Sequence, residues 1–233
     1  MAGNFQTFKL ENEFAIASCD DKFPTAFRSW SNRTRRLPAV GTHFGYVFQG
    51  ATTLETNSGT FALRENMYFC VPGEFQLSGG AGVIMTRHGF QGIFSLGGPI
   101  EENGRLRYID GCRDSLLIPP LIKGDPCLNA LYFPENIVQT QHTHPSVRAG
   151  VVACGRGECL TPDGVFPLSA GTAFVISPEA LHSFNTCTDP MVVIAYHPDS
   201  DFGATHDDHP MVNLTMVNGV SAAKIDEIRT TGD

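Results

Sequence analysis

The chemistry in this chain begins with three histidines. His142 and His144 stand one residue apart in "TQHTHPSVRAG", and His182 follows 38 residues after His144. Side chains two positions apart on an extended segment point to the same side. Both imidazoles of the pair therefore address one space. Neutral imidazole is a common metal ligand. The alternative is two ordinary surface histidines in a polar loop.

His182 lies just past "GTAFVISPEAL", where an apolar run gives way to the next segment. A β-barrel brings such strand ends together. Two histidines from one strand and one from another can cap an ion on three sides. That leaves a position for water or substrate, as in catalytic rather than structural sites.

The elements that must position these residues are repeated. Residues 45–77, "GYVFQGATTLETNSGTFALRENMYFCVPGEFQL", align without a gap on residues 150–182 at an offset of 105, with nine identities. Gly45 and Gly150, Gly50 and Gly155, Gly59 and Gly164, Phe61 and Phe166, and Phe69 and Phe174 coincide, so turns and apolar positions stay in register together. At this offset His142, His144 and His182 fall on Leu37, Ala39 and Leu77, and Arg148 falls on His43. Apolar or small counterparts suggest inward-facing positions in both copies.

The 24 glycines and 15 prolines among 233 residues break the chain into short runs, the pattern of sandwiches and barrels. Strands are expected at "GYVFQG", "TFAL", "MYFCV", "GVVACG", "VFPL", "TAFVI" and "MVVIAYH". Helices are expected only at "GVSAAKIDEIR", with Ser221 as N-cap, and more weakly at "SWSNRTRR". A net charge of −8 argues against nucleic acid and against an anionic membrane surface as partners. No apolar run is long enough to span a bilayer, and no signal-peptide pattern opens the chain. Seven scattered cysteines without a CxxC read as reduced thiols in a cytoplasmic compartment. Cys154 reads as a core residue.

The HxH, the glycine-closed strands and the later histidine together resemble the cupin family, through His142, His144, Gly155, Gly171 and His182. The resemblance covers most of residues 40–77 and 130–197. It implies an all-β protein of two tandem cupin barrels, double-stranded β-helices of the jelly-roll type. Residues 1–115 would form a degenerate barrel, and 116–233 a metal-binding barrel with a C-terminal tail. The cupin glutamate falls on Arg148, so a ligand set of three histidines remains, in the second copy alone.

Three neutral ligands leave the full charge of a divalent ion, which favours a small anionic substrate. Arg148 could grip that anion; alternatively it pairs with Glu158 or Glu179. The resemblance implies a three-His non-haem iron dioxygenase, with Fe(II) favoured and Zn, Mn or Ni as other candidates. Cupins of this ligand type act on thiols, diketones and hydroxyketones. A non-oxidative isomerase or lyase and a non-catalytic binding cupin are the rival readings. The chain would act as a monomer or homodimer. His197, at a strand end, is a candidate substrate contact, and Tyr132 and Tyr196 could face the cavity. The segment 197–213, with His206, Asp207, Asp208 and His209, reads as an Asx-rich turn before a second metal site.

Overall fold

The structure, a computed structural model, describes residues 4–199, 216–221 and 225. The chain divides into a compact unit ending at Ser200 and a second beginning at Asp201. In the second unit, Met216–Val217 and Val220–Ser221 pair as a hairpin.

The first unit is all-β. Among its described residues the only helix is the 3-10 turn Ile109–Gly111. A six-stranded sheet runs in the order Ser95–Gly97, Tyr68–Pro72, Gly41–Gln49, Ala81–His88, Thr25–Ser31, Ala15–Ile16. A four-stranded sheet of Arg35–Leu37, Phe75–Ser78, Thr52–Thr56 and Gly59–Leu63 accompanies it. Trp30, Leu37, Leu54 and Leu77 lie in one core shared by these two sheets.

The remaining strands form a nine-stranded sheet around the long strand Arg148–Thr161. Its first half pairs with Thr172–Ile176 and Met191–His197, its second half with Gly164–Ser169 and Ser183–Asn185. This strand thus serves two faces of a second core containing Leu131, Phe133, Val152, Phe174 and Phe184. A third core joins the halves, with Phe27, Phe44 and Val83 meeting Leu128, Val151 and Tyr196. The Phe44 and Tyr196 rings lie 5.2 Å apart.

The repeat is present in the pairing as well as the sequence. Gly45 pairs with Phe69 and Gly150 with Phe174; Thr52 pairs with Leu63 and Gly157 with Leu168. Both registers are preserved at the 105-residue offset. The glycine of each Gly–Phe pair makes room for the ring. A Cβ on Gly45 would lie 2.0 Å from the Phe69 ring, and one on Gly150 2.8 Å from that of Phe174. Gly50 and Gly155 adopt nearly the same left-handed conformation, with φ of 76° and 74°.

Several expectations are corrected. The segment 29–36 is not helical: it ends strand Thr25–Ser31, which pairs along Ala81–Arg87 and buries Trp30 completely, and it enters strand Arg35–Leu37. Gly219 lies in the hairpin turn and Val220–Ser221 form a strand, so the expected helix does not begin at Ser221; of the rest of 219–229 only Ile225 is among the described residues. Cys154 is exposed, beside a register shift in its strand. Strand Arg113–Ile118 straddles the 115/116 boundary and pairs with Cys127–Phe133. Strand Phe5–Lys9 pairs with Thr172–Ile176, so the chain's beginning is stitched to the later sheet.

Candidate metal centre

His142 and His182 form an antiparallel bridge outside the named strands. The His142 N–H donates to the His182 carbonyl at 2.9 Å, and the His182 N–H returns the bond at 3.0 Å. Residues paired in this way project their side chains to the same face. The segment 177–181 is folded under His144: the Glu179 N–H donates to the His144 carbonyl at 2.7 Å, and Glu179 takes a φ of 59°.

Two of the rings have their tautomer set by the backbone. His142 Nδ1 lies 2.9 Å from the Thr140 carbonyl and His182 Nδ1 lies 2.8 Å from the Ala180 carbonyl. A carbonyl can only accept, so each Nδ1 carries the hydrogen, and Nε2 is the nitrogen left to face a metal. Such backbone contacts orient metal-binding histidines. The Thr140 N–H in turn donates to Asp110 Oδ2 at 2.6 Å. Asp110 thereby steadies Thr140, the residue whose carbonyl holds His142.

The three rings converge. Their centroids are separated by 4.9 Å (His142–His144), 4.6 Å (His142–His182) and 5.3 Å (His144–His182). One nitrogen from each lies within 4.8 Å of the other two. Nitrogens about 2.1 Å from one tetrahedral ion stand roughly 3.4 Å apart, so small ring movements would close the set around a metal. Burial pushes the His144 pKa down to about 2, assisted by Arg148 and the other two histidines. Burial likewise lowers His182 to about 4. Both rings are therefore neutral at physiological pH, the form that binds metal.

His197 ends strand Met191–His197, with its ring centroid 6.2 Å from that of His144. Burial, then Arg148 and His144, hold its pKa well below the ordinary histidine value. Arg148 is 8% exposed. Its Nη1 donates to Ser146 Oγ at 2.6 Å, to the Val147 carbonyl at 3.0 Å and to Asp199 Oδ1 at 3.4 Å. Its ion pair is thus with Asp199, not with Glu158 or Glu179. Nη1 is already occupied, while Nε is buried without a hydrogen-bond partner.

The counterparts in the first copy diverge. Leu37 and Leu77 are core residues, as expected of inward positions, but Ala39 is exposed. His43 is fully buried and uses both ring nitrogens, Nδ1 with Thr86 Oγ1 at 2.8 Å and Nε2 with the Pro38 carbonyl at 3.1 Å. It has no free nitrogen for a metal. Tyr132 and Tyr196 face the core between the halves rather than the histidines. Residues 206–209 lie outside the described residues.

A polar row inside the second core escaped the sequence reading. Asn129 Nδ2 donates to Asp114 Oδ2 at 2.7 Å, and the Cys127 thiol donates to Asn129 Oδ1 at 3.0 Å. Cys127 pairs in register with His197. The available signal was Asn129 in "CLNALYF", a polar residue sharing the parity of Leu131 and Phe133.

No protein-family model matches the sequence, and no curated protein does. Solved structures do. A cupin 2 conserved barrel domain protein from Leptotrichia buccalis is similar over 83% of this chain and 96% of its own, with 10% identity and a TM-score of 0.62. A variant of salicylate 1,2-dioxygenase from Pseudoaminobacter salicylatoxidans, in complex with gentisate, is similar over 75% of this chain and 68% of its own, at 9% identity and TM-score 0.55. Oxalate decarboxylase from Bacillus subtilis, studied for its Mn(II) centres, is similar over 84% and 78%, at 9% identity and TM-score 0.52. The fold of this chain is the cupin fold. Within it stands a three-histidine cluster able to hold a metal ion.

Proposed function

We propose that the chain is a metal-dependent enzyme acting on a small anionic organic substrate at His142, His144 and His182. The observation that carries this reading is the convergence of three imidazoles, two of them oriented by backbone carbonyls at Nδ1 so that Nε2 is presented. Three neutral ligands leave the charge of a divalent ion uncompensated, and the buried guanidinium of Arg148 adds to the positive field. An anion is the substrate that field favours.

The reaction class favoured is dioxygenation with Fe(II). A bound iron would supply the redox chemistry and sites for substrate and oxygen side by side. The protein's part is to keep His144 and His182 unprotonated, to orient the anion with Arg148 and His197, and to exclude water through the apolar wall around Phe184. The likeness to a salicylate dioxygenase supports this reading at the level of fold. A second reading is non-oxidative chemistry with Mn, Zn or Ni as Lewis acid, supported in the same way by the decarboxylase with Mn(II) centres. Oxygen uptake by the Fe(II)-loaded chain with gentisate, salicylate and oxalate separates the two. Uptake with gentisate or salicylate supports dioxygenation; turnover of any of the three without net uptake supports the second reading.

The architecture belongs to the same proposal. We read the chain as tandem barrels, with Phe5–Lys9 and Arg113–Ile118 lent to the C-terminal one. The shared registers and the separate cores support this division. Seven cysteines outside any disulfide fit a reducing, cytoplasmic setting.

A further inference from the structure

The loop between strands Ala15–Ile16 and Thr25–Ser31 belongs to the first half of the chain, yet one of its side chains grips the segment that carries the second copy's site. Asp20 is 5% exposed. Its Oδ1 accepts from the Phe23 N–H at 2.8 Å, which closes its own turn. Its Oδ2 accepts from the Val147 N–H at 2.9 Å, across 127 residues of sequence. Asp20 also shares the lining of a hollow of about 420 Å³ with Pro145, Ser177 and Pro178. Pro145 follows His144 directly, and Ser177 and Pro178 lead into Glu179, whose amide bonds the His144 carbonyl.

The Val147 N–H and the Ser146 carbonyl belong to one peptide group. That group is planar, and its N–H and carbonyl point in opposite directions. Holding the N–H therefore aims the carbonyl. Arg148 Nη1 lies 3.4 Å from the Ser146 carbonyl, and donates to Ser146 Oγ at 2.6 Å and to the Val147 carbonyl at 3.0 Å. These three acceptors sit on the two residues whose shared peptide Asp20 holds; Asp199 supplies a fourth. A serine would close the Asp20 turn alone. Serving both amides takes a carboxylate, which accepts at both oxygens. Val147 is fully buried, so without Asp20 its N–H would have to move to find another acceptor.

The geometry points to Asp20 as a positioning residue for Arg148: through the Ser146–Val147 peptide it holds the guanidinium in the orientation that leaves Nε unpaired and available to an anion. The first half of the chain thereby takes part in the site of the second. The consequence for anion binding rests on the anionic-substrate reading above; the positioning itself does not.

Asp20→Ser keeps an acceptor for Phe23 and loses the one for Val147. Two measurements on the metal-loaded full chain use it. In the Zn(II)-loaded chain the Arg148 Nε–H proton is expected as a separate NMR resonance that exchanges slowly with water. In Asp20→Ser it should shift and broaden at unchanged zinc stoichiometry. In calorimetric titration of the Mn(II)-loaded chain with oxalate, Asp20→Ser and Arg148→Lys should each bind about tenfold or more weakly than the parent, the loss of one charge-assisted hydrogen bond. The double variant should fall within about twofold of the weaker single variant, because both changes act through one group. An unchanged Arg148 resonance in Asp20→Ser overturns the inference, as does a fall in its metal content, which would make Asp20 a support of the ligands. Additive losses in the double variant, or a loss in one single variant without the other, also overturn it. A resonance that shifts as expected, while oxalate binds the parent and both variants alike or binds none of them, sustains the positioning and overturns the anion-anchor reading of Arg148. Should Asp20→Ser not fold, Asp20→Thr keeps the same acceptor and carries both measurements.

Discussion

His142 and His182, 40 residues apart in sequence, exchange both of their main-chain hydrogen bonds. The spacing of two candidate ligands is therefore set by backbone pairing. The third, His144, is tied to the same segment through the bond from the Glu179 amide to its carbonyl. A site built this way resists distortion by single side-chain changes nearby, and it depends on whatever fixes the backbone.

Asp110 is one such support, through the Thr140 amide. Asp110→Ala is expected to weaken metal affinity by about 10–100-fold, the range for lost supports of ligand histidines. Asp110→Asn, which keeps an oxygen acceptor, should stay close to the parent. Metal titration under competition with a chelator measures both. Parent-like affinity in Asp110→Ala would show that Thr140 is held without it.

His43 makes acid stability a separate test of the first half. Burial lowers its pKa from 6.5 to about 4. The unfolded chain then binds a proton more readily, so His43 contributes stability above pH about 6.5 that is lost as pH falls toward 4. The shift corresponds to about 3 kcal/mol at most. His43→Gln, melted across this range, should lose less stability on acidification than the parent. An unchanged pH slope would contradict the buried neutral histidine.

The Gly45–Phe69 pair predicts a compensation. Gly45→Ala places a methyl against the Phe69 ring and should destabilise by about 1–3 kcal/mol, as overpacking does. Phe69→Leu removes the ring. The double variant should be more stable than the sum of the two single changes, because they share one contact. Additive denaturation midpoints would mean that the backbone, not the ring, limits that site.

Much of this was legible in the residues. The repeat survived because Gly45 and Gly150 face phenylalanines, and Gly50 and Gly155 turn left-handed; both demands are written as glycine. The histidine spacing was legible because alternation fixes which side chains share a face. What was not legible depends on contacts between distant segments. Asp199 pairs with Arg148 across 51 residues of sequence, Asp110 holds Thr140 across 30, and Phe5–Lys9 crosses to the last copy. The 29–36 segment misled because its strand state comes from pairing with Ala81–Arg87, about 50 residues away, which its own residues do not announce.

Asp114 should make stability fall as pH rises. Its pKa is raised, from 3.8 to about 6, by burial, so its charged form opposes folding increasingly as pH rises between those values. The melting temperature of Asp114→Asn relative to the parent should therefore be more favourable at pH 8 than at pH 4. The same difference at both pH values would place the Asp114 carboxyl in water.

Metal content tests the central claim most directly. Chain purified without a histidine tag, incubated with Fe(II) or Mn(II) and desalted, should hold one equivalent of metal by elemental analysis. His182→Ala should hold close to none, while His43→Gln retains the full equivalent. Full metal content in His182→Ala, or none in the parent, would contradict the account.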